Sequence, residues 1–457
     1  MKTATLCPPT APALDRHSGR TGSNRRPALT APIFRRMVLG LFAPMDKGRL
    51  ILELPDGAEL RCGSRLETAC EALPMDIPAE ARIRVRDERF FRRCVLAGDI
   101  GFGESFVEGE WDSPDVRAVI AWFLLNIDHA PTLSGSARRR AQAWLVNLMR
   151  FTNRIGHALR RNTPGKARRN IRAHYDVSNE FFQQLLDPSM MYSSGIWAGP
   201  GDTLEKAQER KNEKLCRLLR LRPTDRVLEI GTGWGGWSLH AASRHGCHVT
   251  TLTISERQHE LAVERVRRAG LSDRIDVRLA DFREWHGTYD KIVSIEMMEA
   301  LGHHYLPDFC RFLDRSLDRE GLLALQFITC PDSRYAEFRR GVDFIQKHVF
   351  PGSLLLSLNR VNEQLARAGG FVLHQVADHG TDYSRTLREW RGNLHERRPE
   401  IERLGFGERF FRSWHYYLAY CEAAFAMRNI SVVQTLHTRP NNLSLGSVSL
   451  SPCAPPS

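Results

Sequence analysis

The segment Val227-Leu-Glu-Ile-Gly-Thr-Gly-Trp-Gly-Gly236 constrains the fold more than any other. Val227 to Ile230 read as a buried strand, and a glycine-rich turn follows at once. Gly231, Gly233, Gly235 and Gly236 permit positive φ and leave no Cβ in the way of a ligand. Residues 238–243 then read as the start of a helix. Strand, glycine turn and helix N-terminus together make a nucleotide-type site at the carboxyl end of a sheet strand. The pattern continues along the chain. Strands are expected at 226–230, 248–254, 275–279, 291–295 and 322–328, with helices at 256–269 and 305–317. Such alternation predicts an α/β fold, a doubly wound Rossmann-like sheet with helices on both faces.

A ligand in such a sheet sits outside the carboxyl ends of the strands. Gly231, Thr232, Gly233, Trp234 and Gly235 follow the first strand. Thr253, Ser255 and Gln258 follow the second, Asp281 and Phe282 the third, and Glu296-Met-Met-Glu299 the fourth. The turn is E-x-G-x-G, with Glu229 two positions before the first glycine. That resembles the first motif of class I S-adenosylmethionine (SAM) methyltransferases more than a dinucleotide fingerprint. SAM carries an ammonium and a carboxylate, which glycine-loop amides and an acidic strand end can meet. Asp281 with Phe282 suits the adenine, and an aromatic face such as Tyr192 suits the electron-poor sulfonium.

The 457 residues allow two or three domains. Residues 1–45 are rich in Pro, Arg, Ser and Thr and are expected to form a disordered tail. Residues 46–133 read as a small α+β unit, with strands near 50–54 and 83–86. It has a helix near 87–93, a glycine-punctuated turn region at 98–111 and a buried helix at 116–127. Residues 134–172 combine arginines with an apolar stripe that includes Trp144, as a basic amphipathic helix and linker. The methyltransferase-like domain spans 173–440, and 441–457 form a polar tail.

The net charge of +12 is concentrated. Residues 1–50 hold nine basic and two acidic side chains, residues 134–173 hold eleven basic and none acidic, and the remainder is net negative. Basic charge beside an apolar stripe points to an anionic surface, with a membrane interface the functional reading and a docked linker helix the plain one. No base-reading module favours nucleic acid. The ten cysteines are scattered with no C-x-x-C pair, which argues against a zinc ribbon or disulfide framework and suits a reducing cytoplasm. No metal-ligand spacing is evident. No apolar run reaches the roughly 20 residues of a membrane span.

From residue 174 to about 439 the chain resembles the cyclopropane-fatty-acyl-phospholipid synthase family. The likeness is carried by His174-Tyr-Asp-Val-Ser-Asn-Glu-Phe-Phe, Leu186-Asp-Pro-Ser-Met-Met-Tyr-Ser, the E-I-G-x-G-W-G-G loop, Leu252-Thr-Ile-Ser-Glu-Arg-Gln, Ile295-Glu-Met-Met-Glu-Ala-Leu-Gly-His and Tyr416-Tyr-Leu-Ala-Tyr-Cys-Glu. Residues 48–128 are similar to that family's smaller N-terminal domain. The resemblance implies transfer of the SAM methyl to a cis double bond of a phospholipid acyl chain, then loss of a proton to close a cyclopropane. It implies bicarbonate as the base, held by Glu299, Tyr383 and the backbone of Ile328. Ser194 stands where cysteine is usual and Gln326 where histidine is usual, and both can still hydrogen-bond an anion. Thr232 likewise replaces a usual cysteine. Cys421 aligns with a cysteine long proposed as catalytic, although this chemistry needs no nucleophile. The resemblance further implies a cytoplasmic protein peripheral to the inner membrane face and leaves a homodimer open. Plainer readings stand beside these: Glu299 as a helix cap, Tyr383 and Tyr192 as core aromatics, Gln326 as a loop-satisfying strand end. The rival functions are a methyl-branched or methylene product, methylation of a small amine, and a non-catalytic lipid-binding protein.

Overall fold

The computed structural model describes residues 31–63, 73–74, 76–129 and 178–445. The basic segment 134–172 lies outside them. The first sheet belongs to the N-terminal unit and contains β1 (Arg49–Glu53), β2 (Glu59–Cys62), β3 (Glu80–Val85) and β4 (Trp111–Asp112), in the order β2-β1-β3-β4. β3 alternates exposed and buried residues, as one solvated face requires. The helix Val116–Leu125 covers the other face. All of Val116–Phe123 except Arg117 is buried, and Asp115 caps the helix by accepting from the amides of Arg117 and Ala118.

Two expectations for this unit are corrected. Residues 31–42, expected within a disordered tail, form a helix whose Val38 and Phe42 are buried in the core. The Arg/Pro-rich composition around it hid an amphipathic stretch. Residues 98–107, expected as turns, continue the helix Arg89–Val107 after a kink. Gly98 makes the kink with φ 59° and ψ −132°, a conformation that side-chain-bearing residues rarely adopt.

The second sheet has seven strands: β5 (Arg226–Ile230), β6 (His248–Thr253), β7 (Ile275–Leu279), β8 (Tyr289–Ile295), β9 (Leu317–Thr329), β10 (Val372–Asp378) and β11 (Ser431–Thr438). Their order is β10-β11-β9-β8-β5-β6-β7. β5 to β9 run parallel, and β11 is antiparallel to both β9 and β10. Leu322 to Phe327 of β9 are buried without a break, as expected for a central strand covered on both faces. The expected doubly wound sheet is present, and the β10–β11 pair extends it at one edge.

The N-terminal unit shares a continuous apolar core with the helices Gly380–Glu396 and Glu408–Ala426. At that junction the buried Glu422 carboxylate accepts from Arg117 (2.8 Å), Arg388 (3.0 Å) and Arg391 (2.9 Å). Glu104 of the unit takes Lys347 at 2.7 Å, gripping the segment 344–355 that walls the cavity described next. Among the described residues no helix is long and apolar enough to cross a membrane.

Candidate active site

A cavity of about 340 Å³ opens at the carboxyl ends of β5, β6, β7 and β8. β5 delivers Gly231 at φ 98°, and a Cβ there would lie 3.1 Å from Met297. Gly235, at φ 83°, caps the helix Gly236–His245, whose N-terminal amides carry partial positive charge. Gly231, Gly233, Trp234, Glu229, Thr253, Gln258, Asp281, Phe282 and Tyr192 all line the cavity. Gly235 and Ser255 do not. Ser255 instead caps the helix Glu256–Arg268, and Thr253 Oγ1 donates to Gln258 Oε1 at 3.0 Å. Asp281 caps the short turn Phe282–Glu284 and holds Arg283, with 2.9 Å to its Nε. Trp234 is buried and donates from its indole to Asn179.

Glu229 is fully buried, and Ser238 and Thr251 both donate to it, Thr251 at 2.6 Å. Burial outweighs those donors and pushes its carboxyl up to about 7. Thr232, the departure from the family's loop, sits 2.8 Å from the same Thr251 hydroxyl. The altered loop position is thereby absorbed into the hydrogen bonding of Glu229.

The turn after β8 brings in two acids, Glu296 and Glu299. Glu296 has φ 47°, in the left-handed region that costs a side-chain-bearing residue about 1–3 kcal/mol. Three donors converge on its carboxylate: Tyr383 Oη at 2.6 Å, Gln326 Nε2 at 2.8 Å and the Ser194 amide at 2.9 Å. Gln326 is fixed in this pose because its own Oε1 accepts from Gln434. Burial raises the Glu296 pKa, while the three donors and the buried Lys211 ammonium oppose the rise. Glu299 accepts from the Ile328 amide at 2.5 Å through Oε1. Its buried Oε2 has no hydrogen-bond partner among the described residues. Burial and the adjacent Glu296 push Glu299 up to about 8. The arrangement sets one acid held by three donors beside a second whose carboxyl is pushed up to about 8.

These contacts correct the bicarbonate expectation. Tyr383, Gln326 and Ser194 were expected to hold a free anion, and all three hold Glu296. The Ser194 hydroxyl is turned to the Gly195 carbonyl at 3.0 Å, and the Ile328 amide is taken by Glu299. The donor set does not fit an additional bicarbonate, and a second anion would face two carboxyl groups. Ser194 and Gln326 sit behind the cavity wall, whereas Glu296, Glu299, Ile328, Tyr383 and Cys421 line it. Cys421 is partly buried on the helix Glu408–Ala426, and desolvation raises its thiol pKa far above the ordinary value, the opposite of nucleophile activation. Glu296 is the residue that sequence reasoning placed but gave no role. Its signal was a second acid in the motif, three positions before Glu299.

Beyond the acids the cavity becomes hydrocarbon-like, walled by Phe338, Ile345, Phe350, Leu355, Leu387, Phe425 and Ile430. Tyr417 bridges the walls, its hydroxyl 3.1 Å from that of Tyr192. One opening therefore joins a glycine loop, a buried acid pair and an apolar chamber.

Residues 162–435 match the family model for mycolic acid cyclopropane synthetase. The chain belongs to that family. The cyclopropane-fatty-acyl-phospholipid synthase of Escherichia coli is 33% identical over 364 residues, covering 79% of this chain and 88% of the relative. The tuberculostearic acid methyltransferase UfaA1 of Mycobacterium tuberculosis is 36% identical over 356 residues, covering 76% and 81%. Among solved structures, mycolic acid cyclopropane synthase CmaA1 complexed with SAH and CTAB superposes with a TM-score of 0.55 at 28% identity, covering 60% of this chain and 98% of that one. As a member of the cyclopropane synthetase family, the protein is a SAM-dependent methyltransferase of class I architecture.

Proposed function

We propose that this enzyme transfers the SAM methyl to a cis double bond of a phospholipid acyl chain and closes a cyclopropane, with Glu296 as proton acceptor. The observation that carries the reading is the single cavity in which the glycine loop and the Glu296–Glu299 pair open onto an apolar chamber.

SAM fits the residues at the loop end, since the φ 98° of Gly231 and the unpartnered Oε2 of Glu299 leave room and an acceptor for a cationic ligand. Bound there, SAM supplies an electrophilic methyl on a sulfonium. Glu229 meets the ammonium, Gln258 and Asp281 the nucleoside, and Tyr192 offers a ring face toward positive charge. The apolar wall excludes water and holds the alkene in line with the methyl, which an intrinsically weak nucleophile requires. The alkene π pair forms the new C–C bond as the C–S bond breaks, leaving a cation on the other former alkene carbon. The carboxylate of Glu296 takes a proton from the transferred methyl, and the freed C–H pair closes the ring. A buried carboxylate also stabilises the cation before the proton leaves.

The basic segment 134–173 supports delivery of the substrate from an anionic membrane surface. The likeness to the tuberculostearic acid methyltransferase favours a second reading, a methyl-branched or methylene product. The methylene product shares the methyl transfer and differs in a 1,2-hydride shift before the transferred methyl loses its proton; a saturated methyl branch would need a separate hydride donor to reduce that methylene. The separating experiment is expression in cells lacking such an enzyme, with fatty-acid methyl esters profiled by mass spectrometry and then hydrogenated. A product one methylene heavier that resists mild hydrogenation, with ring protons by NMR, supports cyclopropane. Unchanged lipids with labelled methyl on amines would sink the reading.

A further inference from the structure

Away from the cavity, a second cluster of chemistry-bearing side chains joins two helices. Cys216, fully buried, comes from the helix Leu204–Leu218. His240 and His245, both partly buried, come from the helix Gly236–His245 that the glycine loop begins. One donor atom from each of the three lies within 4.8 Å of the other two. Glu213, one turn before Cys216, presents Oε2 to both imidazoles, 3.2 Å from His240 Nε2 and 3.1 Å from His245 Nε2.

A thiolate, two imidazoles and a carboxylate are donors of the kind zinc takes in four-coordinate protein sites. Bonds of about 2.0–2.3 Å in a tetrahedron set neighbouring donor atoms about 3.3–3.8 Å apart. The imidazole–carboxylate separations are already near that value, and the thiol sulfur stands within 4.8 Å of a donor nitrogen of each imidazole. Calcium and magnesium call for all-oxygen shells, which this cluster cannot supply. Charge also balances, because one thiolate and one carboxylate neutralise a divalent ion. Of the cations around the cluster, Arg244 pairs with Glu209 and Arg210 with Asp202, while Arg217 shares the Glu213 carboxylate through Oε1 and Lys206 lies on the same rim.

We propose that Glu213, Cys216, His240 and His245 form a structural zinc site that clamps the helix Leu204–Leu218 to the helix Gly236–His245. Four protein donors leave no open coordination position, which marks a structural rather than a catalytic metal. The clamp lies behind both walls of the reaction site. One helix begins at the glycine loop. The other sends Gln208 Nε2 to the Ser193 carbonyl (2.7 Å) and Lys211 Nζ to the Ser193 hydroxyl (3.1 Å), next to the Ser194 amide that holds Glu296. The ligands come from separate helices with no short shared motif, so the scattered cysteines of the sequence gave no sign of a metal.

The test uses the full chain, purified without a histidine tag, stripped with chelator and titrated with Zn²⁺ and with Co²⁺. The expected result is one zinc per chain by elemental analysis, a higher Tm with zinc, and a cobalt complex showing tetrahedral d–d bands with a thiolate charge-transfer band. Cys216→Ser should abolish the thiolate band. His245→Gln and Glu213→Gln, at less buried positions, should weaken zinc binding by about tenfold or more while circular dichroism of the metal-free state stays native. Absence of stoichiometric binding, a cobalt complex without the thiolate band, or unchanged affinity in both less buried variants would overturn the proposal. None of these readouts depends on lipid turnover.

Discussion

Tyr383→Phe isolates one hydroxyl in the acid cluster. The ring packs 4.5 Å from Phe425 and 6.1 Å from Trp390, contacts a phenylalanine retains. What is lost is the 2.6 Å hydrogen bond from the phenol to Glu296 Oε2. Such a bond to a charged acceptor is worth about 1.5–3 kcal/mol. It favours the ionised acid only, so its loss raises the Glu296 pKa further above the ordinary carboxyl value, by about 1–2 units at 1.36 kcal/mol per unit. A base must be ionised to act, so kcat should fall at low pH and recover as pH rises. The assay is kcat against pH with saturating SAM and vesicles of monounsaturated phospholipid. The acid limb should move to higher pH by about 1–2 units, with a plateau within severalfold of the parent. An equal loss at every pH, with the limb unmoved, would show that Tyr383 does not act through the ionisation of Glu296.

Other consequences can be checked with equal directness. Glu299→Gln, which keeps the acceptor for the Ile328 amide and removes the group that ionises beside the ligand, should weaken SAM binding by about tenfold or more in isothermal titration, with kcat at saturating SAM changed less. An unchanged SAM affinity with kcat alone depressed would make Glu299 a catalytic residue instead. Because Glu229 and Glu299 sit at about 7 and about 8, SAM, a cation, should bind with proton release. Its affinity should therefore rise with pH across that interval, and an affinity flat between pH 6 and pH 8 would contradict their proximity to the ligand's charge. The sign for stability is opposite: both pKa values are raised, so the ligand-free fold binds more protons than the unfolded chain and should lose stability as pH climbs from about 4.5 to about 8. Glu422→Ala should cost about 1–3 kcal/mol in denaturant unfolding, since it removes the buried acceptor shared by Arg117, Arg388 and Arg391 at the junction with the N-terminal unit, while Arg117 keeps Asp115 and Arg388 keeps Asp76.

The parallel core of the sheet was legible because buried strands flanked by turn residues announce themselves. The expected bounds of β5 and β7 match the structure. β10 and β11 were not legible as strands. β11 buries Gln434, Thr435 and His437, and their polarity is tolerated through partners such as Gln326 and Asn362 that lie far off in sequence. The glycines at 98–103 suggested turns, yet Gly101 and Gly103 lie in helix where a Cβ would strike the Arg93 carbonyl or the rings of Phe344 and Tyr416. In the site, loop residues could be read from their place after each strand. Glu296 could not, because its role depends on a left-handed turn and on donors from residues 194, 326 and 383 that only the tertiary fold assembles.

The central claim is that a carboxylate built into the chain, Glu296, takes the proton from a methyl delivered to a lipid alkene. Glu296→Gly removes that carboxylate, relieves the φ 47° backbone and leaves the Tyr383, Gln326 and Ser194 donors facing an empty, carboxylate-sized space. The measurement is turnover of this variant on monounsaturated phospholipid vesicles with methyl-deuterated SAM, with and without added formate or bicarbonate. The account predicts near-complete loss of activity, partial rescue by the small anion, and a product ring carbon that keeps two of the three deuterons. Full activity in Glu296→Gly without any added anion would contradict it.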